Sequence, residues 1–187
     1  GLNLGGNSIL ISHRSSCQMR SSLFEDFYLP VKEVFPNRSI YVHEVDLTDV
    51  DRKFIEEKAK EVNIIPKCSV VDYLENLYSA GFVVCTDTSA IHFREGIEKP
   101  CLSVYGAMTT QSRTSGYKYT RSFNVASDCK FQPCFLHELI KGQQCHNFEP
   151  GETVSKCQSG DGFRQQLTNE LLKYADENEY IHYLKTL

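Results

Sequence analysis

Residues 81–106 read GFVVCTDTSAIHFREGIEKPCLSVYG, and this stretch decides the fold. Phe82-Val83-Val84-Cys85 is a continuous apolar run with β-branched residues, the pattern of a strand covered on both faces. Thr86-Asp87-Thr88-Ser89 follows, a cluster of N-cap residue types set before a helix whose apolar and small positions are Ala90, Ile91, Phe93 and Ile97. Gly96 marks the end of that helix, and Lys99-Pro100 leads into a second apolar strand, Cys101 to Tyr105, closed by Gly106. Strand, helix and strand in so short a span make a βαβ unit of a parallel sheet. Its chemistry lies in the turn, where hydroxyls and backbone N–H groups at a helix N-terminus suit an anion, above all phosphate.

The pattern repeats on both sides of this unit. Ser8 to Ser12 reads as a first strand, ending in the hydroxyl-rich stretch His13 to Ser22 with two arginines. A helix is expected from Leu23 to Val34, weakened or kinked at Pro30, then a strand from Ser39 to Val42. Asp49 to Val62 is expected as an amphipathic helix capped by Asp49, with Phe54, Ile55, Ala59 and Val62 buried. Asn63 to Pro66 gives a third strand. Ser69 to Ala80 gives a helix with Val70, Val71, Leu74, Leu77 and Tyr78 turned inward. After a loop from Thr109 to Gly116 comes a strand near Tyr119 to Val125. A charged helix runs from Gly162 to Leu187, with Leu167, Leu171, Leu172, Tyr174 and Tyr180 as its apolar contacts. This alternation argues an α/β, Rossmann-like, doubly wound, mostly parallel sheet with a Cys-rich loop and C-terminal helices. The division expected is 1–126 for a Rossmann-like domain, 127–160 for a Cys-rich insertion and 161–187 for a helical segment of the same domain.

The chain has 187 residues and a formal net charge of −4, with no basic block, so nucleic acid and anionic membranes have no electrostatic support as partners. No apolar run approaches the roughly 20 residues of a membrane span. The chain starts Gly-Leu-Asn without Met and without a signal-peptide pattern, which reads as a fragment or processed chain in the cytoplasm.

Ligands on such sheets bind outside the carboxyl ends of the strands. Those ends carry Ser12-His13-Arg14, His43-Glu44, Asp87-Thr88-Ser89 with His92, and Gly106 to Thr110. Arg14 and Arg20 offer guanidinium forks for a diphosphate, and Thr88 and Ser89 offer hydroxyls and N–H groups to the same group. Glu44 is placed to accept from ribose hydroxyls, and His92 to bond phosphate or sugar. Solvated arginines, an ordinary exposed Glu44 and a helix-packed His92 are the alternatives. The first loop lacks Gly-x-Gly-x-x-Gly, and Gly5-Gly6 precede the strand, so no dinucleotide cofactor is expected.

A strand ending in Asp87-Thr88-Ser89, then Ala90-Ile91-His92, a helix, Lys99-Pro100 and a strand ending in Tyr105-Gly106 resembles the donor-binding signature of heptosyltransferase-type glycosyltransferases (family 9, GT-B fold). Ser89 stands where that family commonly has Gly, and Phe93-Arg94-Glu95 replaces its usual small residues. The resemblance covers Ser8 to Val125 and implies the C-terminal, donor-binding domain of a two-domain enzyme. By this resemblance the 1–126 domain would bind a nucleotide diphosphate sugar, a heptose among the candidate sugars, and the acceptor would be a glycan, lipid or protein. A cation is implied at the end of the first loop, either Arg14 or Arg20. The acceptor-side general base would belong to an N-terminal domain outside this chain. Asp49-Val50-Asp51 has the spacing of an Asp-x-Asp metal site, but a helix start explains it better. A non-catalytic nucleotide or sugar-phosphate module and a protein-interaction domain are the other functional readings.

Eight cysteines divide into two groups. Cys17, Cys68, Cys85 and Cys101 read as core filling. Cys129, Cys134, Cys145 and Cys157 fall in one irregular segment with Pro133, Gly142, Pro150 and Gly151. They suit a structural thiolate site for zinc or iron, with His137 or His146 able to replace a ligand; disulfides and free thiols are the rivals. A four-cysteine iron site after the same domain in some heptosyltransferase-like proteins adds to the metal reading.

Overall fold

The computed structural model describes residues 1–130, 132–134 and 154–186. The chain runs β1 (Ser8–Ser12), α1 (Phe24–Val34), β2 (Ser39–His43), α2 (Asp49–Lys58), β3 (Asn63–Ile65), α3 (Val70–Ser79), β4 (Phe82–Thr86), α4 (Ser89–Gly96), β5 (Cys101–Tyr105), α5 (Thr110–Arg113), β6 (Thr120–Asn124) and α6 (Gly160–Thr186). The strands form one sheet in the order β3-β2-β1-β4-β5-β6, and all five pairings are parallel. Every residue of β1, β4 and β5 is buried, as their unbroken apolar sequences require, whereas the edge strands β3 and β6 are partly exposed.

The sheet has a helical layer on each face. Ile9, Ile11, Val42, Phe82, Val84 and Leu102 point to the side covered by α1, α2 and α6. There Phe27 of α1 lies 5.7 Å from the ring of Phe163 of α6, and Tyr174 stacks on Phe82 at 4.2 Å. Leu10, Val83, Cys85, Cys101 and Tyr105 point to the side covered by α3 and α4. Asp26 joins α1 to the start of α6 by accepting from the Gly160 N–H at 3.1 Å. Pro30 is buried within an unbroken α1. Among the described residues no helix is long and apolar enough to cross a membrane.

Several local expectations are corrected. Helix α2 is capped by Thr48, not Asp49: the Thr48 hydroxyl accepts from the Asp51 N–H, and the Asp51 carboxylate accepts from the Thr48 N–H. This closed box also gives Asp51 a structural use in place of an Asp-x-Asp role. The helix stops at Lys58, and Ala59 and Val62 reach the core from the turn that follows. Val70 and Val71 are exposed because they occupy the first turn of α3, before the helix reaches the sheet. Tyr78 is exposed on the outer face, with the Lys99 ammonium 3.9 Å above its ring. Leu172 is likewise exposed on the outside of α6, and Cys68 is at the surface. Tyr180 lies beyond the side chains described.

Arg94 is the largest fully buried side chain. Its Nη1 donates to the carbonyls of Leu77 at 2.7 Å and Ala80 at 2.9 Å, at the end of α3. Its Nη2 reaches Pro100 O at 2.7 Å and Gly81 O at 3.4 Å, and its Nε reaches Pro100 O at 3.2 Å. The negative end of the α3 dipole and its unpaired last carbonyls thus receive the charge. Next to it, Glu95 accepts from the N–H groups of Lys118, Tyr119 and Thr120 and holds the start of β6. Arg94→Met removes the donors that join α3, β4 and β5, and its expected cost is about 3–5 kcal/mol in urea unfolding. A variant within about 1 kcal/mol of the parent would contradict this role.

Candidate functional site

Strand order reverses between β1 and β4, so the loops leaving these neighbours diverge and open a cleft at their carboxyl ends. The cleft measures about 650 Å3. Its β1 side is formed by Ser12, Arg14, Ser15, Ser16 and Arg20, and its β4 side by Asp87, Thr88, Ser89 and His92. Val45 and Asp46 reach it from the turn after β2, Tyr73 from α3 and Arg113 from α5.

Local chemistry fixes both sides. On the β1 side, His13 is buried with its Nε2 3.5 Å from the Asp51 carboxylate, which also accepts from the Phe24 N–H at the start of α1. Burial alone would raise the Asp51 pKa, but the bonds from His13, Thr48 and Phe24 hold it at about 2. The loop then folds on itself: Ser21 Oγ donates to Cys17 O at 3.0 Å, Ser15 N–H donates to Ser21 Oγ, and Ser22 N–H donates to His13 O. A 3-10 turn over Gln18–Arg20 carries the Arg20 guanidinium to within 3.4 Å of the Asp87 carboxylate across the cleft. On the β4 side the first turn of α4 faces the cleft. Helices α2 and α3 have closed capping boxes, whereas the Thr88 side chain makes no cap bond to α4. The Ile91 N–H donates to the Thr88 carbonyl at 3.3 Å, and the first turn of α4, with no side-chain cap, suits an anion.

Tyr73 forms the floor, its hydroxyl bonded to Ser12 and Ser89. Burial, with the Asp46 carboxylate beside it, pushes that hydroxyl above the ordinary tyrosine range. Burial also raises Asp46 to about 6, against the opposing pull of His13 and Arg14. Three guanidiniums, from Arg14, Arg20 and Arg113, thus face two carboxylates. Protonating Asp46 adds one positive unit to the balance.

Of the residues singled out in the sequence, Ser12, Arg14, Arg20, Asp87, Thr88, Ser89 and His92 meet in this cleft. His92 is exposed, and its Nδ1 bonds the Tyr117 hydroxyl. Glu44 is not among the lining residues. Its carboxylate lies 3.6 Å from Arg52 and accepts from the Lys67 N–H, and the 3-10 turn over Glu44–Asp46 presents Asp46 instead. Asp46, Ser15 and Ser16 share loops with residues already chosen, so their signal was local. Tyr73 and Arg113 arrive from helices and had no local signal.

Of the four cysteines expected as thiolate ligands, Cys129, Cys134 and Cys157 are among the described residues. Cys134 packs with Cys17, Met19 and Ala107, and Cys157 Sγ lies 3.3 Å from Ser155 Oγ. No group of three or more His, Cys, Asp or Glu that could hold a metal is found among the described residues. Cys145, His137 and His146 lie outside them.

A parallel sheet in this order, with an arginine-lined cleft at its switch point, agrees with the comparisons. The family model of glycosyltransferase family 9 (heptosyltransferase) matches residues 44–143, more than half of the chain. The chain belongs to this family. The structure of E. coli heptosyltransferase WaaC with ADP superposes at a TM-score of 0.56 and 17% identity, over 77% of this chain and 46% of that one. E. coli ADP-heptose lps heptosyltransferase II gives 0.56 at 10% identity, over 90% and 47%. At these identities the likeness is one of fold, and the chain spans just under half the length of these structures. No curated protein matches by sequence.

The charge balance of the family 9 cleft makes anion binding depend on pH. Asp46→Asn should leave affinity for inorganic diphosphate unchanged near pH 5, where Asp46 is already neutral. Above pH 7, where the parent carboxylate is ionised, the variant should bind about three- to tenfold more tightly. Calorimetric titration at the two pH values checks this, and a difference independent of pH would contradict the assignment.

Proposed function

We propose that this chain is the donor-binding half of a glycosyltransferase, holding a nucleotide diphosphate sugar in the β1/β4 cleft. The observation that carries the reading is the convergence of Arg20, Arg14 and the uncapped start of α4 at the switch point of a family 9 domain. Two E. coli WaaC structures contain ADP and ADP-2-deoxy-2-fluoro heptose, which makes an ADP-linked heptose the first donor to try.

In the proposed reaction a hydroxyl of the acceptor attacks the anomeric carbon, and the bond from that carbon to the diphosphate oxygen breaks. The electron pair stays on the departing diphosphate. Arg14, Arg20 and Arg113 oppose the charge developing there, and the α4 N–H groups and the Ser15, Ser16 and Ser89 hydroxyls donate to its oxygens. Such a site stabilises a leaving diphosphate with guanidinium and helix-terminal N–H groups alone. Asp87, already paired with Arg20, orients that guanidinium and presents its other oxygen to sugar hydroxyls. Asp46 is the nearer acid for the nucleotide ribose, with Glu44 one turn farther out. Acceptor and general base come from outside this chain.

Thermal-shift and calorimetric titrations with ADP, GDP and UDP test the reading. One diphosphate should raise the unfolding temperature in a concentration-dependent way, since it binds the folded state alone. Arg20→Ala should weaken that nucleotide by about 10- to 100-fold through loss of charge-assisted bonds. A folded sample that responds to none of the three nucleotides would overturn the reading.

A further inference from the structure

The Cys-rich segment has no place in the chemistry above, yet its described ends grip one short piece of the site. Cys134 Sγ lies 3.7 Å from Met19 Sδ, in a small cluster with Cys17 and Ala107. At the other end, Ser155 N–H donates to Ser21 O at 2.9 Å. Gln158 is fully buried, and its Oε1 accepts from Ser22 Oγ at 3.3 Å and from Thr86 Oγ1 at 3.0 Å. The one Thr86 hydroxyl proton is shared between Gln158 Oε1 and the Arg20 carbonyl. Residues 17–22, the turn that carries Arg20, are therefore held from both sides by the Cys-rich segment.

We infer that the Cys-rich segment is a buttress for the arginine turn, with Gln158 as its positioning residue for the diphosphate subsite. The inference rests on the donor-binding reading for what Arg20 holds, but its structural core does not. Gln158 is not among the residues that line the cleft. It acts through Ser22 and Thr86, which set where the Arg20 backbone sits relative to Asp87. The tight fit also explains why Gly106 ends β5: a Cβ there would come within 2.5 Å of Gln158 Nε2 and 2.8 Å of Cys157 Sγ. Any side chain at 106 would push Gln158 off its two hydroxyls.

The test uses the whole chain and two readouts. Gln158→Met keeps the volume and removes the acceptor. Amide hydrogen exchange of the apo protein should speed up at least tenfold in residues 17–22, with β1 and β2 unchanged. Unaltered exchange there would overturn the buttress whether or not nucleotides bind. Calorimetry with the nucleoside diphosphate preferred by the parent, and with its nucleoside, gives the second readout. Affinity for the diphosphate should fall about tenfold while affinity for the nucleoside stays constant. Equal losses for both would show general damage and overturn the positioning role. Thr86→Val should produce the same selective loss, and the double variant should be no worse than the weaker single one, because both act through one contact. If Gln158→Met does not fold, Ser22→Ala takes its place, since it removes a single donor. Were the parent to bind no nucleotide, the donor reading would fail and the exchange result would still decide the buttress.

Discussion

A single buried cation ties this sheet to its helices. The Arg94 guanidinium collects carbonyls from the end of α3, the approach to β4 and the approach to β5, adding a polar tie to the β4–β5 ladder and the Lys99 bond to Tyr78 O. A guanidinium without a carboxylate partner is costly to bury, and burial lowers its pKa. It is retained here because the fork geometry matches several carbonyls at once and the helix dipole supplies a diffuse counter-charge. The result is a fixed angle between β4 and α4. That angle places Thr88, Ser89 and His92 along the cleft. The departure of Phe93-Arg94-Glu95 from the family's small residues is thus an internal matter. Phe93 packs against the core beneath α4, Arg94 ties the strands, and Glu95 secures β6.

The cleft itself is governed by a division of labour among carboxylates. Asp51 is held ionised at about 2 and ties the first loop to α1 and α2. Asp87 is spent on orienting Arg20. Asp46, raised to about 6, is the acid whose charge is most easily given up near neutrality. An anion arriving among Arg14, Arg20 and Arg113 therefore meets one carboxylate already neutralised by pairing and one near its titration point. The net positive charge of the cleft therefore rises as Asp46 takes up a proton.

Much of this was legible in the sequence. The apolar run Phe82–Cys85 and the largely apolar Cys101–Tyr105, interrupted at Ser103, read as central strands, and the hydroxyl cluster between them marked the turn on which the cleft is built. Residues on strand ends were readable because a parallel sheet puts every strand's carboxyl end on one edge. Tyr73 and Arg113 were not readable, since a helix brings them to the edge from a direction that strand position does not encode. Val70 and Val71 misled for a related reason: helical periodicity says which face a residue occupies, but not whether the sheet extends far enough to cover it. Glu44 and Asp46 differ only by the 3-10 turn that swings the second of them inward, and two residues of loop carry no such signal. In the Cys-rich segment, spacing suggested metal ligands but gave no sign that Cys134 and Cys157 sit beside the arginine turn and Gly106.

Arg20 and Asp87 face each other across the cleft although they are 67 positions apart in the chain. Their meeting depends on β1 pairing with β4, the join that can form only after β2, α2, β3 and α3 have been laid down between them. Closing so long a loop is the slow, entropically expensive event in assembling such a sheet. Neither the β1–β2 half nor the β4–β5 half can hold the anion pocket by itself, so no partly assembled form of the chain offers it. The cleft is in this way a property of the completed sheet, and the diphosphate proposed for it would act as a clasp across the seam between β1 and β4.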